Sequence, residues 1–341
     1  KIKAADPNDD LGQLYSQVRT SAQAVRNDEA ARQTLVRNLY ESFFRTAFKS
    51  DADKLGIVYT PLEIVDYILH LVDNKLTEHF GKHLEDDRVT ILDPFTGTGT
   101  FIVELIRSGL ISSNKLQRKY RSEIFANEIM LLAYYIAMVN IESEYYAVQF
   151  DNYSKIKKVG SRDNIQPPVY EPFSGGVLTD TFQMTEDSNS IDESVFTRNS
   201  ARVIEQNKKP ITVIMGNPPY SVGQKSANDN NSNDHYENLD KRIAQTYAAN
   251  TKAVNKNALY DSYIRAFRWA SDRILGRNIR TDTAISGKGI ICFVSGGGWL
   301  DGTAFDGFRK SLVAEFSDIY VLNLRGNART SGELRRREND N

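Results

Sequence analysis

Short apolar runs alternate with helical segments from residue 89 onward. Runs of this length suit buried strands, and their alternation with helices predicts parallel strands joined by crossover helices. The predicted strands cover residues 89–93, 123–127, 176–180, 211–216, 289–295 and 319–324. The helices among them are predicted at residues 98–110, 128–141, 259–275 and 304–316. The pattern therefore predicts an α/β fold with an open, doubly wound sheet, whose ligands bind at the carboxyl ends of the strands.

The residues before this core show a helical pattern. Apolar positions recur at helical spacing between residues 10 and 49. Thr60-Pro61-Leu62-Glu63 then combines a good N-cap, a proline suited to the first helical position and an acid in the first turn. This combination predicts a helix from residue 60 to about residue 76. We therefore predict a helical N-terminal region, residues 1–88, and a core, residues 89–341.

Two segments interrupt the alternation of strands and helices. Residues 151–173 contain Pro167-Pro168 and Pro172 and are predicted to form an irregular insertion. Residues 226–238 are rich in Asn, Asp and Ser and are predicted to form a mobile surface loop.

Composition and charge narrow the possible classes of protein. Lys and Arg number 43 against 44 Asp and Glu, a formal net charge of -1, which argues against a wholly basic nucleic-acid binder but allows a local basic cleft. One cysteine excludes an internal disulfide framework, and four histidines without zinc-ligand spacing predict no metal site. The sequence has neither an apolar stretch of membrane-helix length nor a signal peptide, which predicts a cytoplasmic protein without a membrane partner. Because the chain starts without Met and ends in a charged run, we expect a piece of a longer polypeptide.

The first candidate site is a predicted strand that ends in Asp93 and continues through Gly97-Thr98-Gly99 into a helix. Glycines let the backbone approach a ligand closely, and the N–H groups at a helix start can face the polar end of that ligand. Residue 102 is Ile, where the Gly-x-Gly-x-x-Gly fingerprint of dinucleotide-binding proteins has a third small residue, which argues against NAD. An ordinary strand-to-helix turn is the alternative for this segment alone.

Two further segments place polar groups at predicted strand ends. Glu128 follows the next strand, where doubly wound folds have the acid that accepts hydrogen bonds from ribose hydroxyls, although acids are also common in the first turn of a helix. Asn217-Pro218-Pro219-Tyr220 follows a buried strand. Its prolines stiffen the turn and remove two N–H donors, which leaves oxygen acceptors for a planar amino group beside a tyrosine that can stack on a heteroaromatic ring. A proline strand terminator beside a half-buried tyrosine is the alternative.

Two segments together resemble the S-adenosylmethionine loop and the catalytic motif of amino-group DNA methyltransferases, in particular the N6-adenine class: Asp93-Pro94-Phe95-Thr96-Gly97-Thr98-Gly99-Thr100-Phe101 and Asn217-Pro218-Pro219-Tyr220. Upstream, Gly56-Ile57-Val58-Tyr59-Thr60-Pro61 resembles the motif that precedes the core in the gamma arrangement of these enzymes. The resemblance covers about residues 56 to 326. The helical lead-in, the insertion and the ending are similar to the methyltransferase part of type I single-polypeptide restriction-modification enzymes.

The resemblance implies a Rossmann-like methyltransferase sheet with an N-terminal helical layer and S-adenosylmethionine as the cofactor. It implies that Asn217, Pro218, Pro219 and Tyr220 form the target-base site. The residues that it implies for the cofactor are Thr60, Asp93, Pro94, Gly97, Gly99, Phe101, Glu128 and Asp180. Among them, Thr60 would lie near the methionine carboxylate, Glu128 at the ribose hydroxyls and Asp180 at the adenine amino group. For Asp180, a turn cap is the alternative role.

The expected reaction is methyl transfer from S-adenosylmethionine to the N6 amino group of adenine in double-stranded DNA, within a restriction-modification enzyme. The target base would be flipped out of the duplex, because a stacked base cannot reach the site. We expect a C-terminally incomplete core that lacks its seventh strand and a target-recognition domain, and attachment of nuclease or translocase parts stays open. Two alternatives remain: a protein glutamine-N5 methyltransferase, because Asn-Pro-Pro-Tyr can hold an amide NH₂ by the same geometry, and a non-catalytic cofactor-binding or specificity module.

Overall fold

A five-stranded parallel sheet lies at the centre of the structure, a computed structural model that describes residues 60–158, 166–186, 197–219, 236–276 and 287–324. Its strands are β1 (Ile91–Asp93), β2 (Ile124–Glu128), β3 (Gly176–Leu178), β4 (Val213–Gly216) and β5 (Ile290–Phe293). They lie in the order β3-β2-β1-β4-β5, and every neighbouring pair is parallel. The predicted α/β fold with a parallel sheet is confirmed.

Helices connect and cover these strands. Within the described ranges they are α1 (Leu62–Phe80), α2 (Thr100–Arg107), α3 (Ser113–Ser122), α4 (Leu131–Lys158), α5 (Thr197–Lys208), α6 (Glu237–Ile243), α7 (Ser262–Ile274) and α8 (Asp306–Glu315). The helices α3, α5 and α6 were not among those that the sequence pattern predicts. The described residues belong to one compact unit, and the division at residue 88 stays a prediction.

Alternate residues of the central strands face two separate hydrophobic cores. Ile91 of β1 and Ile124 of β2 belong to a cluster that includes buried residues of α1, α2, α3 and α4. Their neighbours Leu92 and Phe125 belong to a second cluster, which includes Trp269 of α7. Because successive side chains of a strand point to opposite faces, this alternation places helices on both faces of the sheet. The sheet is therefore doubly wound, as predicted.

The order of the strands reverses between β1 and β4. The chain runs outward from β1 through β2 to β3, returns to β4 on the other side of β1, and continues to β5. Ile91 pairs with Ile124 of β2 and with Val213 of β4, so the carboxyl ends of all three strands lie at the same edge. In open α/β sheets, ligands bind in the crevice outside such a reversal.

The prediction of a sixth strand at residues 319–324 is wrong. These residues form no strand, and large apolar side chains such as Ile319 and Leu322 are 43% and 58% exposed. A strand requires a hydrogen-bonded neighbour, and these residues pair with no strand in the described part of the chain. An apolar run alone is therefore not sufficient for a strand.

The predicted irregular insertion at residues 151–173 is wrong for its first part, because α4 continues to Lys158. Asp151 and Lys155 form an ion pair of 2.6 Å at the i,i+4 spacing that supports a helix. Residues 166–173, which contain the prolines, have no regular secondary structure, as predicted. Of the predicted loop 226–238, most lies outside the described residues, and Glu237 already begins α6.

The start of α1 differs from the prediction. The helix begins at Leu62 with Pro61 as the N-cap, and no side chain caps it. Thr60 therefore does not serve as the predicted N-cap, because Pro61 takes that position and accepts the N–H groups of Ile64 and Val65 through its carbonyl oxygen. The predicted helices between residues 10 and 49 and the motif residues 56–59 lie outside the described residues.

Candidate active site

The glycine loop between β1 and α2 has a backbone that favours glycine at two positions. Gly97 has φ 56° and Gly99 has φ 92°, both in the left-handed region. A Cβ atom on Gly99 would lie 3.3 Å from the Cα atom and from the carbonyl oxygen of Ala137 in α4. Close packing between the loop and α4 therefore adds a second reason for glycine at position 99, whereas a Cβ on Gly97 would meet nothing within 4 Å.

Glu128 holds this loop from the end of β2. Its carboxylate accepts hydrogen bonds from the N–H groups of Gly97 at 2.8 Å and of Met130 at 2.7 Å. The side chain is buried, and burial raises the pKa of Glu128 to about 7, although these N–H donors act in the opposite direction. An acid that sequence alone allows as a plain first-turn residue is thus the last residue of β2 and holds the glycine loop through a hydrogen bond.

Asp93 lies at the end of β1 and is fully buried. Its Oδ1 atom accepts the N–H group of Phe95 at 3.1 Å, whereas Oδ2 has no hydrogen-bond partner among the described residues. Burial, together with the charge of Glu128, raises the pKa of Asp93 to about 8. A buried acceptor without a partner is unfavourable, so this atom is available to accept a hydrogen bond from a ligand's N–H or cationic group.

The Asn-Pro-Pro segment lies directly beside Asp93. A Cβ atom on Gly216, the last residue of β4, would lie 2.7 Å from Oδ1 of Asp93. Asn217 follows and donates a hydrogen bond from Nδ2 to Oγ1 of Thr60 at 3.0 Å. Pro218 is buried and Pro219 is half-buried, while Tyr220 lies outside the described residues.

Asp180, two residues after β3, is held by a residue that sequence analysis missed. Its Oδ2 atom accepts the hydroxyl proton of Tyr236 at 2.8 Å, and its Oδ1 atom accepts the N–H group of Phe182 at 2.9 Å. The rings of Phe182 and Tyr236 pack edge to face with centroids 5.2 Å apart, and Phe95 of the glycine loop packs against Phe182 at 5.6 Å. No local pattern identifies Tyr236, because its partner lies 56 residues away.

Pro94 and Phe101, two of the predicted cofactor residues, contact other parts of the protein. The carbonyl oxygen of Pro94 accepts the hydroxyl proton of Thr181 at 2.6 Å, and Thr181 in turn accepts a hydrogen bond from Asn127. The side chain of Phe101 is 4% exposed and belongs to the hydrophobic core around α2. The structure thus brings Thr60 and Asn217 into contact and Gly97 onto Glu128, while Phe101 faces the core.

The described residues contain neither a candidate metal site nor a candidate membrane-spanning helix. No group of three or more His, Cys, Asp or Glu residues there has the arrangement of a metal site. Among the helices of the described part, none is long and apolar enough to span a membrane.

The doubly wound sheet, the glycine loop, the two buried strand-end carboxylates and the adjoining Asn-Pro-Pro segment form the arrangement that the resemblance to amino-group methyltransferases implies. Residues 31–157 match the family model for N-6 DNA methylase. Residues 31–157 are thus the part of the chain that is similar to this family. No curated protein matches the chain in a sequence search.

Solved structures of larger proteins are similar to this chain. The ATP-dependent Type ISP restriction-modification enzyme LlaBIII bound to DNA is 45% identical with a TM-score of 0.75, over 90% of this chain and 19% of that one. The DrdV–DNA complex is 42% identical with a TM-score of 0.76, over 91% and 27%. A nuclease-deletion mutant of the Type ISP enzyme LlaGI with a DNA substrate mimic is 42% identical with a TM-score of 0.75, over 99% and 25%. The chain thus spans about a fifth to a quarter of the proteins that it matches.

Proposed function

We propose that this chain transfers a methyl group from S-adenosylmethionine to the N6 amino group of adenine in DNA. The observation that carries the proposal is the contact between Gly216 and Asp93, because it joins the glycine loop to the Asn217-Pro218-Pro219 segment. A cofactor held by the loop and an amino group held by Asn217 would then be neighbours. The similarity to the DNA-bound Type ISP enzymes supports DNA as the substrate.

The residues around the glycine loop fit an S-adenosylmethionine molecule. The unpartnered Oδ2 atom of Asp93 suits a cationic amino group, and Glu128 has the position of a ribose-binding acid. The resemblance assigns Asp180 to the adenine amino group and Thr60 to the methionine carboxylate. The structure holds Asp180 through Tyr236 and places Thr60 in contact with Asn217. When bound there, the cofactor supplies a methyl group activated by its sulfonium charge.

The Asn-Pro-Pro segment supplies acceptors for the target amino group. The lone pair of an adenine amino nitrogen is delocalised into the ring, which makes the nitrogen a weak nucleophile. Hydrogen bonds from its protons to the Asn217 side-chain oxygen and the Pro218 carbonyl favour a more tetrahedral nitrogen and orient its lone pair. The resemblance assigns to Tyr220 a stacking face for the flipped base, and such stacking would offset part of the few kcal/mol needed to flip a base out of a duplex.

A larger polypeptide is the natural setting of this reaction. The similar solved proteins are four to five times longer than the matched part, and two of them are Type ISP restriction-modification enzymes by name. We place this chain as the modification part of such an enzyme, with double-stranded DNA as its partner and target recognition supplied by a separate domain.

The test is transfer of a labelled methyl group to adenine-containing duplexes of random sequence, with a glutamine peptide as a competing acceptor. We expect N6-methyladenine in the DNA, detected by mass spectrometry of the nucleosides. Asn217→Ala should lower the rate by about a hundredfold, as expected when a group that stabilises the transition state is removed. Asn114→Ala, at an exposed position of α3, is the matched control and should retain the full rate.

Each alternative function predicts a different outcome. Label in the peptide but not in the DNA would identify a protein glutamine methyltransferase. S-adenosylmethionine binding is measured by calorimetry, with NAD and ATP as controls. Binding without transfer to either acceptor, both by this chain and by a longer polypeptide that includes a target-recognition domain, would identify a non-catalytic module. Either result would refute the proposed reaction.

A further inference from the structure

The hydrogen bond between Thr60 and Asn217 joins two segments that lie 157 residues apart. Thr60 precedes α1 and is 6% exposed, and Pro61 restricts its backbone to extended conformations. Val65 and Leu69 anchor the first turns of α1 in the hydrophobic core, with no exposed surface. The hydroxyl of Thr60 is therefore presented to Asn217 by a rigid support.

The direction of this hydrogen bond determines whether Oδ1 or Nδ2 of Asn217 points away from Thr60. Nδ2 donates to Oγ1 of Thr60, so Oδ1 is the amide atom that points away from Thr60. Catalysis needs this arrangement, because the target amino group is a donor and requires an oxygen. In the opposite arrangement Nδ2 would meet the amino group, and two donors would face each other.

A threonine hydroxyl alone does not choose between the two arrangements. It has one proton and two lone pairs, so it can accept from Nδ2 or donate to Oδ1. The choice becomes unique once the proton of Thr60 is donated to a different acceptor, because only lone pairs then remain for Asn217. The carboxylate of a bound cofactor would be such an acceptor.

We infer that Thr60 is a positioning residue that orients the Asn217 amide, and that donation of its proton to the cofactor's carboxylate fixes that orientation. This inference rests on the proposed function and adds an order to it: cofactor binding prepares Asn217 to hold the target amino group. Cofactor and target base are thereby coupled through one hydroxyl group, and each should strengthen the binding of the other.

The test compares Thr60→Val, which keeps the shape and removes the hydroxyl, with Thr60→Ser, which keeps the hydroxyl. Thr77→Val, at an exposed position of α1, controls for the substitution itself. At saturating cofactor, we expect Thr60→Val to lower the single-turnover rate of methyl transfer tenfold to hundredfold, whereas Thr60→Ser stays within threefold of wild type. In an Asn217→Asp background the effect of Thr60→Val should fall below threefold, because a carboxylate has two oxygens and no wrong orientation.

Binding provides a readout that does not depend on turnover. The affinity for an adenine-containing duplex is measured by fluorescence anisotropy with and without S-adenosylhomocysteine. We expect this product to tighten duplex binding for wild type, Thr60→Ser and Thr77→Val, and to leave Thr60→Val unchanged.

Three results would overturn the inference: a wild-type single-turnover rate for Thr60→Val, an equally large loss of rate in the Asn217→Asp background, or unchanged tightening of duplex binding by the product in Thr60→Val. Failure of the proposed function has a different signature, because wild type itself would then transfer no methyl group to adenine. A variant of Thr60 that behaves like an active wild type refutes only the positioning role.

Discussion

Replacement of Gly99 by alanine is expected to destabilise the protein more than the same replacement at Gly97. Both residues have positive φ, 92° and 56°. They differ in their surroundings, because a Cβ on Gly99 would lie 3.3 Å from Cγ1 of Ile141 and from two backbone atoms of α4, whereas a Cβ on Gly97 would meet nothing within 4 Å. Gly81, at the C-terminal end of α1, has φ 62° and equally open surroundings, which makes it a control outside the site.

The magnitudes follow from these two contributions. An alanine in the left-handed region costs about 1–2 kcal/mol, and this cost applies to all three positions. Overpacking of a tight contact adds about 1–3 kcal/mol, and this cost applies to Gly99 alone. Gly99→Ala should therefore lower the free energy of unfolding by about 2–5 kcal/mol, and the other two variants by about 1–2 kcal/mol.

Urea unfolding of the three variants and wild type at one pH gives these differences directly. Calorimetry with S-adenosylmethionine adds the functional measurement, in which both loop variants should bind more weakly and Gly81→Ala should bind like wild type. Equal losses of unfolding free energy for Gly99→Ala and Gly81→Ala would show that α4 does not restrict the loop, and the explanation of Gly99 by close packing would be refuted.

Two further predictions concern the carboxylates of the site. Because burial raises the pKa values of Asp93 to about 8 and of Glu128 to about 7, the folded protein holds protons that the unfolded chain releases at lower pH. The free energy of unfolding should therefore fall as the pH rises from about 4, near the unfolded-state pKa values, to about 8. Urea titrations across this pH range measure the dependence. Asp93→Asn should make the dependence weaker. Tyr236→Phe removes the donor to Asp180 and should weaken S-adenosylmethionine binding by about 1 kcal/mol in calorimetry. Tyr170→Phe removes a similar hydrogen bond to Glu142, a half-buried carboxylate outside the site, and should leave that affinity unchanged.

Local patterns in the sequence were sufficient to predict the sheet. All five strands are short and mostly apolar, and all five were predicted to within two residues at either end. The exception, residues 319–324, shows why this approach has a limit. Whether an apolar run becomes a strand depends on a neighbour elsewhere in the chain, and the run itself carries no information about that neighbour.

The candidate site likewise contains residues that local sequence predicts and residues that it does not. The chemistry of Asp93, Glu128 and Asn217 is visible in their own segments, and the structure places all three at one edge of the sheet. The residues that support them are not visible in this way. Tyr236 was missed. Thr60 was predicted to cap α1 and, through the resemblance, to lie near the cofactor, but not to contact Asn217. The hydrogen bonds of these residues to Asp180 and Asn217 are set by tertiary structure alone.

Two hydrogen bonds of the site join residues at very different separations along the chain. Glu128 closes on Gly97 over 31 residues, whereas Thr60 closes on Asn217 over 157 residues. Loop-closure entropy makes the longer connection about 1.4 kcal/mol more unfavourable. A chain leaving the ribosome also completes its glycine loop well before β4 has been synthesised. The glycine loop with Glu128 is therefore expected to take shape early in folding, and the contact between Asn217 and Thr60 to form last.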